Sequence, residues 1–532
     1  MIAAAAAAPQ LDLARLADDS LRAIRQERWA DAHGMLQAAT DAAGKKVALA
    51  KFGPQFGVIY YRKGLCELKL ERWKDAASSF QSCYKDFANR GGNDNPFEKQ
   101  ALLKWGEAAM GAEDWATALR QFKKFTAERI PTRDDYARGA FYVNVAICNY
   151  KLGQIPAGNE NLEIGIKNRT GFPTPNQGIV SGIETLVRAA IDAGSEQVLL
   201  DFLRKNRKEL MPSYEMADYS RSFLKLAADT LAADMADAAL LLCRLVPDRD
   251  QVILDLKKEL AVAGDAALAK KLEAVEPLTP DAIGNEVVRL RTIALIQEKR
   301  GDLEAAYEAY AEMERNYPSA GNREANLFGL IRMEGLMEKS PPESIRHCRE
   351  FLGAFPGSEQ AQAVRRTMVA GLFKGGDYAG CIETLAPVIG QQQDAEDREV
   401  YSHILGASYY YEGKYELAAP LLDEHVETFP QSRYSLSSRY FQAANAAGLG
   451  QWKKAGGLLD SFVSSYPDFS ANPLLPFALY ERAVVHHAEQ EDEQALSMLA
   501  RIGADFPESA VAAVATDLQG EILESPAHEG QQ

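Results

Sequence analysis

The chain has no apolar run of 18 residues or more, so no segment reads as a membrane-spanning helix. Cysteine is sparse: Cys66, Cys83, Cys148, Cys243, Cys348 and Cys381 are scattered with no Cys-x-x-Cys spacing. That excludes a disulfide-stapled small domain and points to buried free thiols, with Cys66 and Cys83 the one pair close enough to consider. No stretch alternates polar and apolar residues between turn formers, so strands are not expected. Positive charge is in deficit, with 59 Lys and Arg against 75 Asp and Glu and a formal net charge of −16. Phosphate contacts need a basic surface, so a general nucleic-acid binder is excluded, while a partner with a basic patch is compatible.

Catalytic motifs are also lacking. No GxxxxGK[ST] occurs, and AAGKKVA lacks the leading glycine. No GxGxxG follows a strand, and HExxH and GxSxG are absent. His486 and His487 are adjacent, so on a helix they point about 100° apart and make a poor metal pair. The RKNRK cluster, Arg204 to Lys208, falls on one amphipathic helix and reads as a solvated face. No two carboxylates can be placed across a cleft, so acid–base catalysis has no support. A non-enzymatic protein without cofactor or metal is expected.

What the chain does have is repetition. RWADAHGML, RWKDAASSF and DWATALRQF place Trp29, Trp73 and Trp115 three residues before Ala32, Ala76 and Ala118, with Leu36, Phe80 and Phe122 four further on. GQIPAGNENL continues the series with Ile155, Gly158 and Leu162, and the spacings are 44, 42 and 40 residues. RTGFPTPNQG, residues 169–178, breaks the pattern with two prolines and two glycines. The next hundred residues are helical in periodicity and read as degenerate pairs. EPLTPD, residues 276–281, is a second break. Cleaner repeats follow, closing on Pro318, Pro356, Pro430, Pro467 and Pro507, and SAVAAVATDLQGEILE reads as a closing helix. Three sections result: 1–168, 176–276 and 281–524.

The stretch EVYSHILGASYYYEGKYELAAPLLDEHVETFPQS shows the unit best. Leu405, Gly406 and Tyr409 lie on one helix, Gly413 breaks it, Tyr415, Ala418 and Leu422 share a face of the next, and Pro430 ends it. This order resembles the tetratricopeptide repeat. The resemblance implies an all-α, right-handed solenoid of about ten to twelve helix pairs with a concave face. It further implies that the first helix of each pair lines that face. The inward positions are then Val400, His403, Ala407 and Tyr410, next Ser437, Tyr440, Ala444 and Ala447, and last Phe477, Tyr480, Val484 and His487. His403, Tyr410, Tyr440, Phe477, Tyr480 and His487 are thus candidate partner-binding residues, since aromatics with polar tips suit contacts to a partner chain. The rival reading is that they fill the inside of a tight coil. FYVNVAICNYKLG resembles the repeat of co-chaperones that clamp a C-terminal carboxylate, with Asn144 in the asparagine slot. The other clamp slots hold Leu103, Glu107, Ser181 and Thr185, which cannot pair with a carboxylate, so that function is not expected.

The unit ends NYPSA, AFPGS, TFPQS, SYPDF and DFPES, within residues 282–510, resemble those of bacterial cell-envelope repeat proteins. These are the Tol–Pal-associated periplasmic coordinator and the repeat lipoprotein of the outer-membrane assembly machine. The resemblance implies an interaction scaffold of the envelope whose partners are proteins of that machinery. MIAAAAAAPQ reads as the remainder of a trimmed signal or as a frayed start, and no lipobox cysteine stands near it. The alternatives are a cytoplasmic adaptor of the same fold, and a ligand site in the degenerate middle, within 176–276. Self-association through exposed end units is compatible with any of these.

Overall fold

The computed structural model describes residues 12–127, 138–169, 175–279, 282, 285–319, 321–337, 341–391 and 394–524. The described residues are helical with short connections, and none is in a strand. The chain divides into two compact units, Met1–Gly301 and Asp302–Gln532.

In the first unit the helices are α1 (Leu13–Arg25), α2 (Trp29–Ala43), α3 (Lys45–Phe52), α4 (Gly57–Lys69), α5 (Trp73–Gln81), α6 (Glu98–Gly111), α7 (Trp115–Ala127), α8 (Arg138–Lys151) and α9 (Ile155–Lys167). They continue with α10 (Pro175–Asp192), α11 (Glu196–Asn206), α12 (Ser213–Met216), α13 (Ser220–Ala232), α14 (Ala236–Leu245), α15 (Arg249–Ala263), α16 (Ala266–Val275) and α17 (Glu286–Arg300). The second unit holds α18 (Leu303–Asn316), α19 (Arg323–Leu336), α20 (Pro341–Ala354), α21 (Ala361–Lys374), α22 (Tyr378–Leu385) and α23 (Ala395–Tyr411). It ends with α24 (Tyr415–Thr428), α25 (Ser435–Gly448), α26 (Trp452–Ser465), α27 (Leu475–Ala488), α28 (Asp492–Asp505) and α29 (Ala512–Glu524).

One backbone turn makes the pairs. Two residues before ten of the second helices, the chain enters the left-handed region: at Glu27, Glu71, Glu113, Gly153, Gly194 and Asp234 in the first unit, and at Gly376, Gly413, Gly450 and Gln490 in the second. The next amide then reaches back five residues, as Arg72 N–H does to the Glu67 carbonyl (2.8 Å) and Lys414 N–H to that of Tyr409 (2.8 Å). This closure satisfies carbonyls that the helix end would leave open. Gly194 and Asp234 show that the middle section uses the same turn although its side-chain signature has faded.

Small residues set how closely the paired helices approach. A Cβ on Gly406 would lie 2.9 Å from the Leu422 side chain, and one on Gly106 would clash with the Phe122 ring. Leu422, Phe122, Phe80 and Leu162, read above as repeat positions, are fully buried. Neighbouring pairs share their cores. In α8, Val145 and Cys148 belong to the cluster built from α1 to α7, while Val143, Ala146 and Tyr150 belong to the one built from α9 to α14.

Within each unit the first helices form a row. α4 touches α6; in the second unit α19, α21, α23, α25 and α27 touch in succession. Second helices pack instead on the first helix of the next pair, as α5 on α6 and α24 on α25. Grooves therefore open between successive second helices.

The middle section departs from stacking in chain order. α17 packs on α13 and α14, while the hairpin α15/α16 packs chiefly on α12. The core of that hairpin is Val252, Leu256 and Val275, with Tyr214 against it. Val262 remains 87% exposed, and Leu254 is exposed as well. One narrow apolar face supports one neighbour, so this pair is an appendage to the stack rather than a member of it.

Candidate interaction face

The predicted binding residues lie on the row of first helices in the second unit. At its C-terminal end the row is filled by rings. His403 on α23 is 4% exposed and Tyr440 on α25 is 7% exposed. Tyr410, Phe477 and Tyr480 are half-buried, and the His487 side chain is 42% exposed. A partner laid on this row meets the last four directly and reaches His403 and Tyr440 only through their neighbours.

The structure gathers His403, Tyr410 and Tyr440 into one network. His403 stacks on Tyr434 (4.6 Å between ring centres), and its Nδ1 is 2.7 Å from Ser438 Oγ. Burial, with His425 beside it, pushes the His403 imidazole down to about 3, so the ring is neutral. Tyr440, Tyr410 and Glu481 are joined by hydrogen bonds. Burial raises the Glu481 carboxyl to about 7, against the opposing hydrogen bond from Tyr410. Tyr410 also packs on Phe441 (5.5 Å) and Tyr411 (5.5 Å), and Tyr411 stacks on Tyr378 (4.3 Å). His487 stands apart, with its Nδ1 2.6 Å from Asp492 Oδ1. Glu481, at the centre of the network, was not among the residues expected from sequence. Nothing in the spacing marks one glutamate on a helix as enclosed.

The open part of the row lies further toward the N-terminus. Between α19 and α21 a slot of about 580 Å³ is walled by Phe328, Ile331, Leu336, Ala363, Ala370 and Gly371. Leu336 is 59% exposed at its edge. Arg332 and Lys374 also line it. In its wall stands Glu334, buried, with Oε1 accepting a hydrogen bond from His347 Nδ1–H at 2.7 Å. The tautomer follows from the other ring nitrogen, which accepts from the Arg346 guanidinium at 2.7 Å. Glu334 Oε2 has no hydrogen-bond partner. A buried carboxylate oxygen without a donor is costly, so the slot favours an occupant with an apolar body and an N–H or O–H to offer. Sequence reasoning missed this slot. Its signal was the run of small residues on α21, Ala363, Thr367, Ala370 and Gly371, with Thr367 where the turn-aligned positions of α23 and α25 carry Ile404 and Phe441.

The clamp-like positions in the first unit offer no carboxylate site. Leu103 is buried, Glu107 is paired with Lys104 (2.7 Å), and the Thr185 hydroxyl bonds the Ser181 carbonyl (2.8 Å). Among the described residues no group of three His, Cys, Asp or Glu side chains could hold a metal ion. No described helix is long and apolar enough to cross a membrane.

No family model matches the chain, and no curated protein matches it by sequence. Solved structures do. One is a tetratricopeptide repeat protein from Parabacteroides merdae, 15% identical, with a TM-score of 0.34 over 46% of this chain and 89% of that one. A second is the APC/C hetero-tetramer Cut9–Hcn1, 11% identical, with a TM-score of 0.31 over 95% of each chain. A third is the TPR domain of P58(IPK), 14% identical, with a TM-score of 0.25 over 89% of this chain and 98% of that one.

Proposed function

We propose that the chain is a non-enzymatic protein-interaction scaffold. In this reading an extended segment of a partner protein lies on the first-helix row of the second unit and sets an apolar side chain into the slot between α19 and α21. The observation that carries it is the slot itself. Elsewhere along this row adjacent first helices close on one another through rings. Here small residues leave about 580 Å³ with apolar walls and one unpaired carboxylate oxygen. Such a pocket supplies the anchor around which interfaces concentrate their binding energy. Tyr410, Phe477, Tyr480 and His487 extend the contact surface toward the C-terminus. Filling the slot tests the reading. Thr367→Trp should retain the fold by circular dichroism and lose the partner in affinity purification from native extract. Recovery of the same partner in parent yield rejects it.

We further propose a bacterial cell-envelope location, supported by the likeness of the unit ends in 282–510 to those of envelope repeat proteins. The cytoplasmic alternative has an observation of its own. All six cysteines are free and buried. Burial raises Cys83, Cys148, Cys243 and Cys348 to about 12 and Cys66 and Cys381 to about 11, so they are inert thiols that suit a reducing compartment. Fractionation of the source cells separates the two: recovery with periplasmic markers supports the envelope, and recovery with cytosolic markers the alternative.

A further inference from the structure

The first unit carries a charge pattern that runs against the composition of the chain. Between α5 and α7 lies a groove of about 670 Å³ with Trp105 and Ala109 of α6 in its lining. α5 continues as a π-helical turn, Ser82–Asp86, and this wall contributes Lys74 and Lys85. The α7 wall contributes Arg120 and Lys124. One carboxylate, Asp114, lines the groove, and its Oδ1 accepts the Thr117 amide at the start of α7 (3.1 Å). Lys85 lies over the buried Trp105 ring (5.2 Å to its centre) and Arg120 bonds the Thr117 hydroxyl (2.9 Å). Among the described residues, Lys74, Lys85 and Arg120 form no ion pair, in a chain where acids outnumber bases by 75 to 59. Facing cations without counter-charges repel, and the half-enclosed groove between them concentrates the positive field.

We propose that this groove binds an extended acidic segment of a partner protein. The length follows from the walls. Lys74 and Lys85 are eleven residues apart in helical backbone, roughly 16 Å, which an extended peptide covers with about five residues. The floor supplies apolar contact for alternate side chains, and the walls supply donors for carboxylates. A longer polyanion is disfavoured. The neighbouring groove between α2 and α5 is charge-balanced, with Asp41, Glu67 and Asp75 beside Lys45, Lys63 and Arg72, so the excess of positive charge does not continue on that side. The rest of the chain repels a nucleic acid that runs past it. This site is independent of the slot in the second unit and stands or falls without it.

The test uses the full chain and two fluorescein-labelled seven-residue peptides, one alternating glutamate with leucine, the other glutamine with leucine. In fluorescence anisotropy at 50 mM salt the glutamate peptide should bind at least tenfold more tightly than the glutamine peptide. Raising salt to 200 mM should weaken it several-fold. The double variant Lys85→Glu, Arg120→Glu should lose at least tenfold in affinity with unchanged circular dichroism. The milder Lys85→Gln and Arg120→Gln should each lose about threefold, which covers the case of a misfolded double variant. Lys257→Glu with Lys258→Glu, on the appended hairpin, should bind as the parent does. Equal binding of the two peptides, or parent-like affinity in the Lys85 and Arg120 variants, overturns the proposal. So does a ten-nucleotide single strand that binds more tightly than the glutamate peptide and loses affinity in the same variants.

Discussion

Two stretches of the first-helix row in the second unit have the same helices, the same spacing and opposite surfaces. Along α23, α25 and α27 the inward positions carry rings, which close on Glu481, Tyr434 and one another until His403 and Tyr440 are shut away. Between α19 and α21 the slot is lined by small residues, with Thr367 at the position that Phe441 holds in α25, and stays open. The lesson is that the repeat fixes where a side chain points and leaves its size to decide what the face does. Large rings turn the face into core; small residues leave space for another chain.

The comparison can be broken by mutation. Phe441→Ala, in the closed stretch, should cost about 3–4 kcal/mol of unfolding free energy in urea titration, whereas Phe328→Ala at the half-open slot should cost about half as much. Equal losses would mean that the two stretches are packed alike. The glycines give a finer version. Gly406→Ala pushes a methyl against Leu422 and should destabilise by about 1–3 kcal/mol. Gly371→Ala meets Ile345 at 3.5 Å, an ordinary contact, and should stabilise by about 0.5–1 kcal/mol through helix propensity.

The closed stretch should also imprint opposite pH slopes on stability. His403 is held neutral down to about 3, against 6.5 ordinarily, so its neutral ring favours folding above pH 6.5 and that contribution is lost as pH falls toward 3. Glu481 is raised to about 7 from 4.5, so the folded state holds its proton longer, and that contribution is complete below 4.5 and lost as pH rises through 7. Urea midpoints measured from pH 4 to 8 should show His403→Gln flattening the loss of stability on the acid side and Glu481→Gln flattening the decline between about 4.5 and 7. Neither variant should alter binding at the slot.

Much of the fold was legible. Trp73, Ala76, Phe80 and their counterparts announced second helices, and Gly406 and Gly413 announced a close approach and a turn. Two things were not. The left-handed residue between paired helices is Glu71, Glu113 or Asp234 as readily as glycine, because the five-back hydrogen bond offsets the strain; glycine counting therefore under-reads these turns. The hairpin α15/α16 has helical periodicity like its neighbours, and periodicity does not say which neighbour an apolar face will meet. The site was legible only in part. Sequence singled out conspicuous residues, Tyr and His, whereas the opening depends on inconspicuous ones, Ala363, Thr367 and Ala370, and on Glu334, whose enclosure arises from tertiary packing.

The most direct test of the interaction scaffold is site-specific photo-crosslinking in living cells, with a photoreactive residue placed at Thr367 in the slot or at Arg349 on the exposed side of α20. The account predicts a discrete adduct with a partner polypeptide from position 367, absent at 349 and competed away when Ala363 is enlarged to phenylalanine. Adducts of equal yield from both positions, or none from 367 under conditions where the partner co-purifies with the parent, would contradict it.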